Sequence, residues 1–253
     1  MIASARNLYI LKRLHECGIV DYKSIASELA VSEATVRRDF EKLERQGKLR
    51  RVQGGAVRSE MPEAEFGVEL SMRAKHGLNS VEKNLVARAA AQEVRDGECV
   101  FLDMGTSIAP LAQDLLQKRI RIVTCSNLIL QRVTPESQAE VFVVGGQFLP
   151  ADHMFVGSIA ENMLENFGFH RAFIGCMGLD IDADTVYVTD MECMRIKQIA
   201  MKNAAQSSLL ADTTKLKKVG LFRVAGVESF QRVYINDAGT GEHYPENFIV
   251  VSA

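Results

Sequence analysis

The stretch TVRRDFEKLERQGKLRRVQGGA, residues 35–56, decides the N-terminal fold. Val36, Phe40 and Leu43 recur at spacings of four and three, the stripe of a helix that turns one side inward. Ser32 can cap its start with a hydroxyl that accepts from first-turn amides, and Gly47 can end it. Beyond Gly47, Leu49 and Val52 alternate and Gly54-Gly55 supplies a turn, the pattern of a two-stranded hairpin. Upstream, Leu8, Ile10, Leu11, Leu14 and Cys17 fall on one face of a first helix that Gly18 stops. Asp21 can cap a second helix carrying Ile25, Ala26 and Leu29, with a tight connection at Ala30-Val31-Ser32.

A short helix, a turn and a longer helix with an inward stripe is the helix-turn-helix plan. Such a recognition helix presents its first turns to the major groove. The candidate contacts there are Ser32, Glu33, Ala34, Thr35, Arg37 and Arg38, and on the hairpin wing Lys48, Arg50, Arg51 and Gln53. Arginine can bind guanine bidentately, and a threonine methyl can meet that of thymine. Charge agrees. Residues 1–60 hold 12 basic and 8 acidic side chains, a balance of +4, against 18 and 24 in the remainder, although the whole chain of 253 residues is only −2.

Other classes are excluded. Apolar runs fall short of the roughly 20 residues a membrane helix needs, and the N-terminus, broken by Arg6 and Lys12-Arg13, does not read as a signal peptide. Cys17, Cys99, Cys125, Cys176 and Cys193 are scattered without a C-x-x-C pair. No disulfide framework or zinc knuckle is expected, and a reducing compartment, the cytoplasm, fits. Neither a cofactor nor a metal is expected.

Residues 59–78 contain Pro62, lack a clean period and read as a connection between a DNA-binding domain at 1–58 and a second domain at 79–253. A helix opens at Glu82-Lys83. Apolar strands then alternate with helices: CVFLD, a helix near 107–116, RIVT, a helix near 127–133, VFVVGG, HRAFIG, a helix over 190–206, SSLLAD and RVYIND, with a last strand at 248–251. This alternation predicts an α/β domain with a mainly parallel sheet between helical layers. Ligands in such sheets bind beyond the carboxyl ends of the strands. Polar residues collect there: Asp103, Gly105, Thr106 and Ser107; Thr124; Gly145 and Gly146; Asp212, Thr214 and Lys215. The amides and hydroxyls of Thr106 and Ser107, at a helix start, favour an anion. The same residues also make an ordinary cap. Glu192 and Lys197 stand five apart on one helix, a spacing more often met in surface charge.

The run TVRRDFEKLERQGKLRRVQGGA resembles the N-terminal signature of the DeoR family of bacterial transcription regulators, with Phe40 for its usual Leu and Gln53 for a common His. Further on, Glu82-Lys83, Asp103/Gly105/Thr106/Ser107, Gly145/Gly146, Glu192/Lys197/Met201 and Asp212/Thr214/Lys215 follow the family order, while Cys125 replaces a usual Asn. The resemblance spans roughly residues 4–237. It implies a winged helix-turn-helix followed by a three-layer α/β/α sensor domain, similar to ribose-5-phosphate isomerase and glucosamine-6-phosphate deaminase folds. The sensor would bind a phosphorylated sugar through Asp103, Gly105, Thr106, Ser107, Thr124, Gly145, Gly146, Glu192, Lys197 and Lys215. The expected partners are a double-stranded DNA operator, that sugar phosphate and further copies of the chain, as dimer or tetramer, with no membrane. The expected function is repression of a carbohydrate-metabolism operon, without catalytic residues. The alternative is a sugar-phosphate isomerase or deaminase with an N-terminal appendage, using Asp103, Glu192 or Lys215 as its base.

Overall fold

A computed structural model describes residues 3–17, 19–52, 55–57, 79–150, 152–237, 239 and 243–252, with backbone alone at 3, 4, 15–17, 19, 50, 52 and 57. The chain divides into two compact units. The connection expected at 59–78 lies outside the described residues.

The first unit runs α1 (Ala3–Cys17), β1 (Ile19–Asp21), α2 (Tyr22–Leu29), α3 (Glu33–Arg45), β2 (Arg50–Val52) and β3 (Gly55–Val57). Asp21 caps α2 by accepting from the Ser24 amide at 2.8 Å. Ala30 takes a left-handed φ of 51° and releases the chain into Ser32, the cap of α3. Val36, Phe40 and Leu43 are buried with Ile10, Leu14, Ile25 and Leu49 in one core. Leu8, expected on the inner face of α1, is 71% exposed, because the helix turns Ile10 and Leu14 inward instead. Arg6 clasps Asp39 with both ends of its guanidinium, at 2.7 and 3.1 Å, fastening α1 to α3.

The wing has three strands, not two. β3 lies between β1 and β2, antiparallel to both. A three-residue strand has too few residues to show alternation, so β1 left no period to read. The close approach of β3 to β1 explains Gly55, where an added Cβ would lie 2.1 Å from the Val20 carbonyl oxygen.

The second unit begins with α4 (Ser80–Ala91), β4 (Cys99–Leu102), α5 (Ala109–Leu115), β5 (Arg121–Thr124), α6 (Asn127–Leu130) and β6 (Glu140–Val143). A hairpin, β7 (Gln147–Leu149) and β8 (Met154–Val156), leads to α7 (Ser158–Glu165) and β9 (Phe169–Gly175). Then come β10 (Gly178–Asp180), β11 (Thr185–Val188), α8 (Met191–Lys202), β12 (Ala204–Leu210), β13 (Phe222–Ala225), β14 (Arg232–Asn236) and β15 (Phe248–Val251). Seven strands make one parallel sheet in the order β15-β14-β12-β9-β4-β5-β6. Both faces are covered. Within β4, Phe101 enters the core that includes Leu164 and Ile196, while Val100 and Leu102 enter the core that includes Val86 and Leu111. A near-continuous apolar strand is what such double burial requires.

Three boundaries differ from the sequence expectation. α5 starts at Ala109 rather than near 107, because Ile108 and Ala109 both donate to the Gly105 carbonyl and close a turn first. α6 ends at Leu130 rather than near 133. α8 ends at Lys202 rather than 206, because Ala204 already pairs with Phe169 as the first residue of β12.

The strand order places the ligand region. From β4 the chain steps to β5 and β6 on one side, then returns to β9 on the other side of β4. The strand order therefore reverses between β4 and β9, and the region beyond their carboxyl ends is where such folds take ligands. Gly55→Ala should destabilise the first unit by about 1–3 kcal/mol, since the clash is with backbone. Denaturant unfolding followed in that unit checks this, and an unchanged midpoint would refute the close approach of β3 to β1.

Candidate functional sites

On α3, burial of Val36, Asp39, Phe40 and Leu43 leaves Glu33, Ala34, Arg37 and Arg38 exposed and Thr35 half-buried. The Ser32 hydroxyl accepts from the Thr35 amide at 3.2 Å and lies 2.9 Å from the Thr35 hydroxyl, so both are ordered at the helix start. The Arg37 guanidinium stands 5.1 Å from the centre of the Tyr22 ring and 3.9 Å from the Glu33 carboxylate. Arg38 makes no ion pair among the described residues. Lys48, after α3, is exposed.

Arg51 behaves otherwise. Its guanidinium meets Glu44 at 2.7 Å and Glu41 at 3.0 Å, and its amide donates to Glu44 at 2.8 Å. Those bonds hold the Glu44 carboxyl below its ordinary range and fasten the wing to α3. Arg51 thus has its charge answered within the unit, where a phosphate contact was expected. The Arg50 side chain and Gln53 lie outside the described residues.

In the second unit, Asp103 follows β4 directly and is fully buried. Its Oδ2 accepts from the Gly175 amide of β9 at 2.8 Å and from the ammonium of Lys197 on α8, itself buried. One carboxylate therefore joins β4, β9 and α8 at the point where the sheet reverses. Burial pushes the Asp103 carboxyl up against the pull of Lys197. Burial works against the Lys197 ammonium, but the Asp103 carboxylate answers it and holds the ammonium above its ordinary range. Asp103 Oδ1 has no hydrogen-bond partner among the described residues. Gly105 leaves the strand with a φ of 143°, a backbone conformation that favours glycine. Thr106 and Ser107 follow, nearly buried, and Lys83 of α4 donates to the Thr106 hydroxyl at 3.0 Å.

Around this loop stand the ends of neighbouring strands. Cys176, just beyond β9, feels Lys215, Lys197, Asp212 and Asp103; burial pushes its thiol up to about 11 while the lysines pull it down. Lys215 closes the short turn 213–215 after β12, where Asp212 accepts from the Thr214 amide at 3.1 Å. The Ser126 hydroxyl, fully buried after β5, has no hydrogen-bond partner among the described residues. Lys197 thus pairs with Asp103, Lys83 holds Thr106, and Lys215 and Lys218 act on Asp212 and Cys176, so lysines gather at this end of the sheet.

The chain was compared with known proteins. The DeoR C terminal sensor domain matches residues 78–237 and the DeoR-like helix-turn-helix domain residues 6–61. The chain belongs to the DeoR family. A lactose phosphotransferase system repressor from Lactococcus lactis subsp. lactis is 31% identical over 214 residues, covering 83% of this chain and 81% of that one. Another so described, from Staphylococcus aureus strain MRSA252, is 30% identical over 212 residues, covering 83% and 82%. Among solved structures, ribose 5-phosphate isomerase A from Methanocaldococcus jannaschii is 18% identical, with 54% of each chain covered and a TM-score of 0.40.

The DeoR sensor residues expected from the sequence do not all converge. Asp103 and Lys197 are bonded to each other, Gly105, Thr106 and Ser107 follow Asp103 along the chain with Thr106 bonded to Lys83, and Lys215 lies close to Cys176. Thr124 is fully buried; its hydroxyl donates to the Leu102 carbonyl at 2.7 Å and accepts from the Ser126 amide at 3.1 Å, so it ties β5 to β4. Gly146 has a φ of 151° and sits where a Cβ would meet the Val156 carbonyl oxygen at 2.5 Å, a packing role; Gly145 precedes it after β6. Glu192 is exposed in the first turn of α8, whereas Lys197 is buried rather than surface charge. Lys83 and Ser126 also lie here, although neither is among the expected site residues. Lys83 had a signal: it shares a face with Val86, Ala87 and Ala90, at spacings of three, four and seven, where an apolar residue is the rule. Lys197 sits likewise between Cys193 and Ala200.

Removing one member of a buried ion pair strands the other. Lys197→Met should destabilise the second unit by about 3–5 kcal/mol, and Asp103→Leu with Lys197→Met by much less. Denaturant unfolding of the single and double variants checks this; equal losses would contradict the pairing.

Proposed function

We propose that this DeoR-family chain is a sequence-specific repressor of a carbohydrate-metabolism operon whose operator affinity is set by a phosphorylated sugar bound beyond β4 and β9. The observation that carries the reading is the pairing on one chain of an exposed α3 face with a lysine-lined crevice at the sheet's reversal point. The repressor relatives lend the sign of regulation and the link to sugar uptake.

The domains are read as 1–58 for DNA binding, 59–78 as the connection and 79–253 as the sensor. α3 lies in the major groove, with Arg37 and Arg38 toward base edges and Ser32, Glu33, Ala34, Thr35 and Lys48 beside them. The phosphoryl group sits against the 105–107 amides and the ammonium groups of Lys83 and Lys215, and Ser126 with the free oxygen of Asp103 meets sugar hydroxyls. The chain works in the cytoplasm as a dimer or tetramer, since paired half-sites about 34–36 Å apart need two copies of α3. It is not an enzyme. A sugar-phosphate isomerase would need a base free to take a carbon-bound proton, and Asp103 is committed to Lys197 and Gly175. Among the described residues no helix is long and apolar enough to cross a membrane.

Arg37→Ala and Arg38→Ala should each weaken specific operator binding by about 1–3 kcal/mol and leave non-specific DNA binding less affected. Fluorescence anisotropy at fixed salt, with circular dichroism to confirm the fold, measures this. Wild-type operator affinity in both variants would sink the assignment of α3 to the groove.

A further inference from the structure

At the opposite end of the sheet from the crevice, a cavity of about 520 Å³ opens among the last turn of α4 and the amino-terminal halves of β9, β12 and β14. Gln92, Glu93, Arg95, Arg171, Arg232 and Tyr234 line it. Arg171 and Gln206 are register partners on adjacent strands, so both side chains rise from the same face. Arg171 donates from Nε to Glu98 at 3.1 Å, and from Nη1 to both Gln206 at 2.8 Å and Glu93 at 3.4 Å. Arg232 meets the same Glu93 oxygen at 3.0 Å. The Tyr234 hydroxyl is buried beside Glu93, and burial with that carboxylate keeps it protonated as a donor.

A structural clamp for the strand starts needs only Arg171 and its two glutamates. More is present. Arg95 makes no side-chain ion pair among the described residues, and Arg232 is half exposed with one nitrogen engaged. Each guanidinium carries five N–H donors and no acceptor. Three arginines therefore stand against two carboxylates, Glu93 in the wall and Glu98 behind Arg171, one positive charge in excess, in a concavity of the size that takes small molecules. A bound anion with several oxygen acceptors would balance the excess charge and meet the unused donors of Arg95 and Arg232.

We propose that this cavity is a second anion site, distinct from the sugar-phosphate crevice, that takes a small multiply charged oxyanion, phosphoryl or carboxylate. The inference does not depend on the reading of the crevice. Calorimetry of the full chain at low salt, with pyrophosphate and with citrate as probes, tests it against two variants. Arg95→Gln with Arg232→Gln removes the spare donors and leaves Arg171, Glu93 and Tyr234 in place; Lys215→Gln alters the crevice instead.

The wild-type chain should bind at least one probe at millimolar concentration or below. The double variant should bind it about tenfold more weakly, the scale of a lost charge-assisted hydrogen bond, and Lys215→Gln should not change it. Tighter binding of pyrophosphate than of citrate marks the occupant as phosphoryl, and the reverse as carboxylate. No binding of either probe, binding unchanged in the double variant, or binding lost with Lys215→Gln alone would overturn the proposal. Matching thermal midpoints for wild type and variants establish that each chain is folded.

Discussion

The buried bond between Asp103 and Lys197 is the constraint on which the sensor unit depends. Taking each charge out of water costs several kcal/mol, recovered only when the partner and further hydrogen bonds are in place. Here the partner comes from α8 and the further bond from the Gly175 amide of β9, while the carboxylate itself ends β4. Three elements distant in sequence are thereby fixed to one another at the reversal of the strand order. Gly105 then turns the chain at once, and the Lys83–Thr106 bond holds the loop that follows, beside an ion pair that cannot be shifted without being broken. A ligand that draws on Lys197 or Asp103 Oδ1 acts on α8 and both strands together.

The DNA-reading unit repeats the device on a smaller scale. Asp39, between Arg38 and Phe40, turns inward to Arg6 and seats α3 on α1. Phe40 is fully buried against Tyr22, ring centres 5.0 Å apart, and Tyr22 in turn underlies Arg37. The exposed arginines thus project from a helix whose rotation is fixed by a charge clasp on one side and an aromatic contact on the other. Arg51 adds a third tie, from the wing to Glu41 and Glu44.

Much of this was legible in the sequence because it repeats a period. The Val36–Phe40–Leu43 stripe, the Asp21 and Ser32 caps and the run of apolar strands each report local geometry, and local geometry is what spacing encodes. What escaped depends on distant partners. Leu8 has the right spacing for the α1 face and lies outside it. β1, β7, β8, β10 and β11 hold three or four residues each, too few to show a period. The Thr124 hydroxyl looks like a ligand group at a strand end, yet its partner is a carbonyl 22 residues earlier. Lys83 and Lys197 lie on apolar faces, and apart from the family resemblance nothing in the sequence points to a partner for either. Their meaning came from Thr106 and Asp103, which the fold brings to them.

In the proposed function, one phosphorylated sugar, held beyond β4 and β9, and operator DNA, held by α3, bias the same equilibrium. Linkage makes this reciprocal: if the sugar phosphate weakens operator binding by some factor, operator weakens sugar-phosphate binding by the same factor. The most direct test is calorimetric titration of hexose and pentose phosphates, with unphosphorylated parents as controls, into the chain alone and into its complex with operator DNA. The account predicts binding that needs the phosphoryl group and is about 5–150-fold weaker in the complex, the usual range of such coupling. A sugar phosphate bound with the same affinity in both, or one no tighter than its parent, would contradict it.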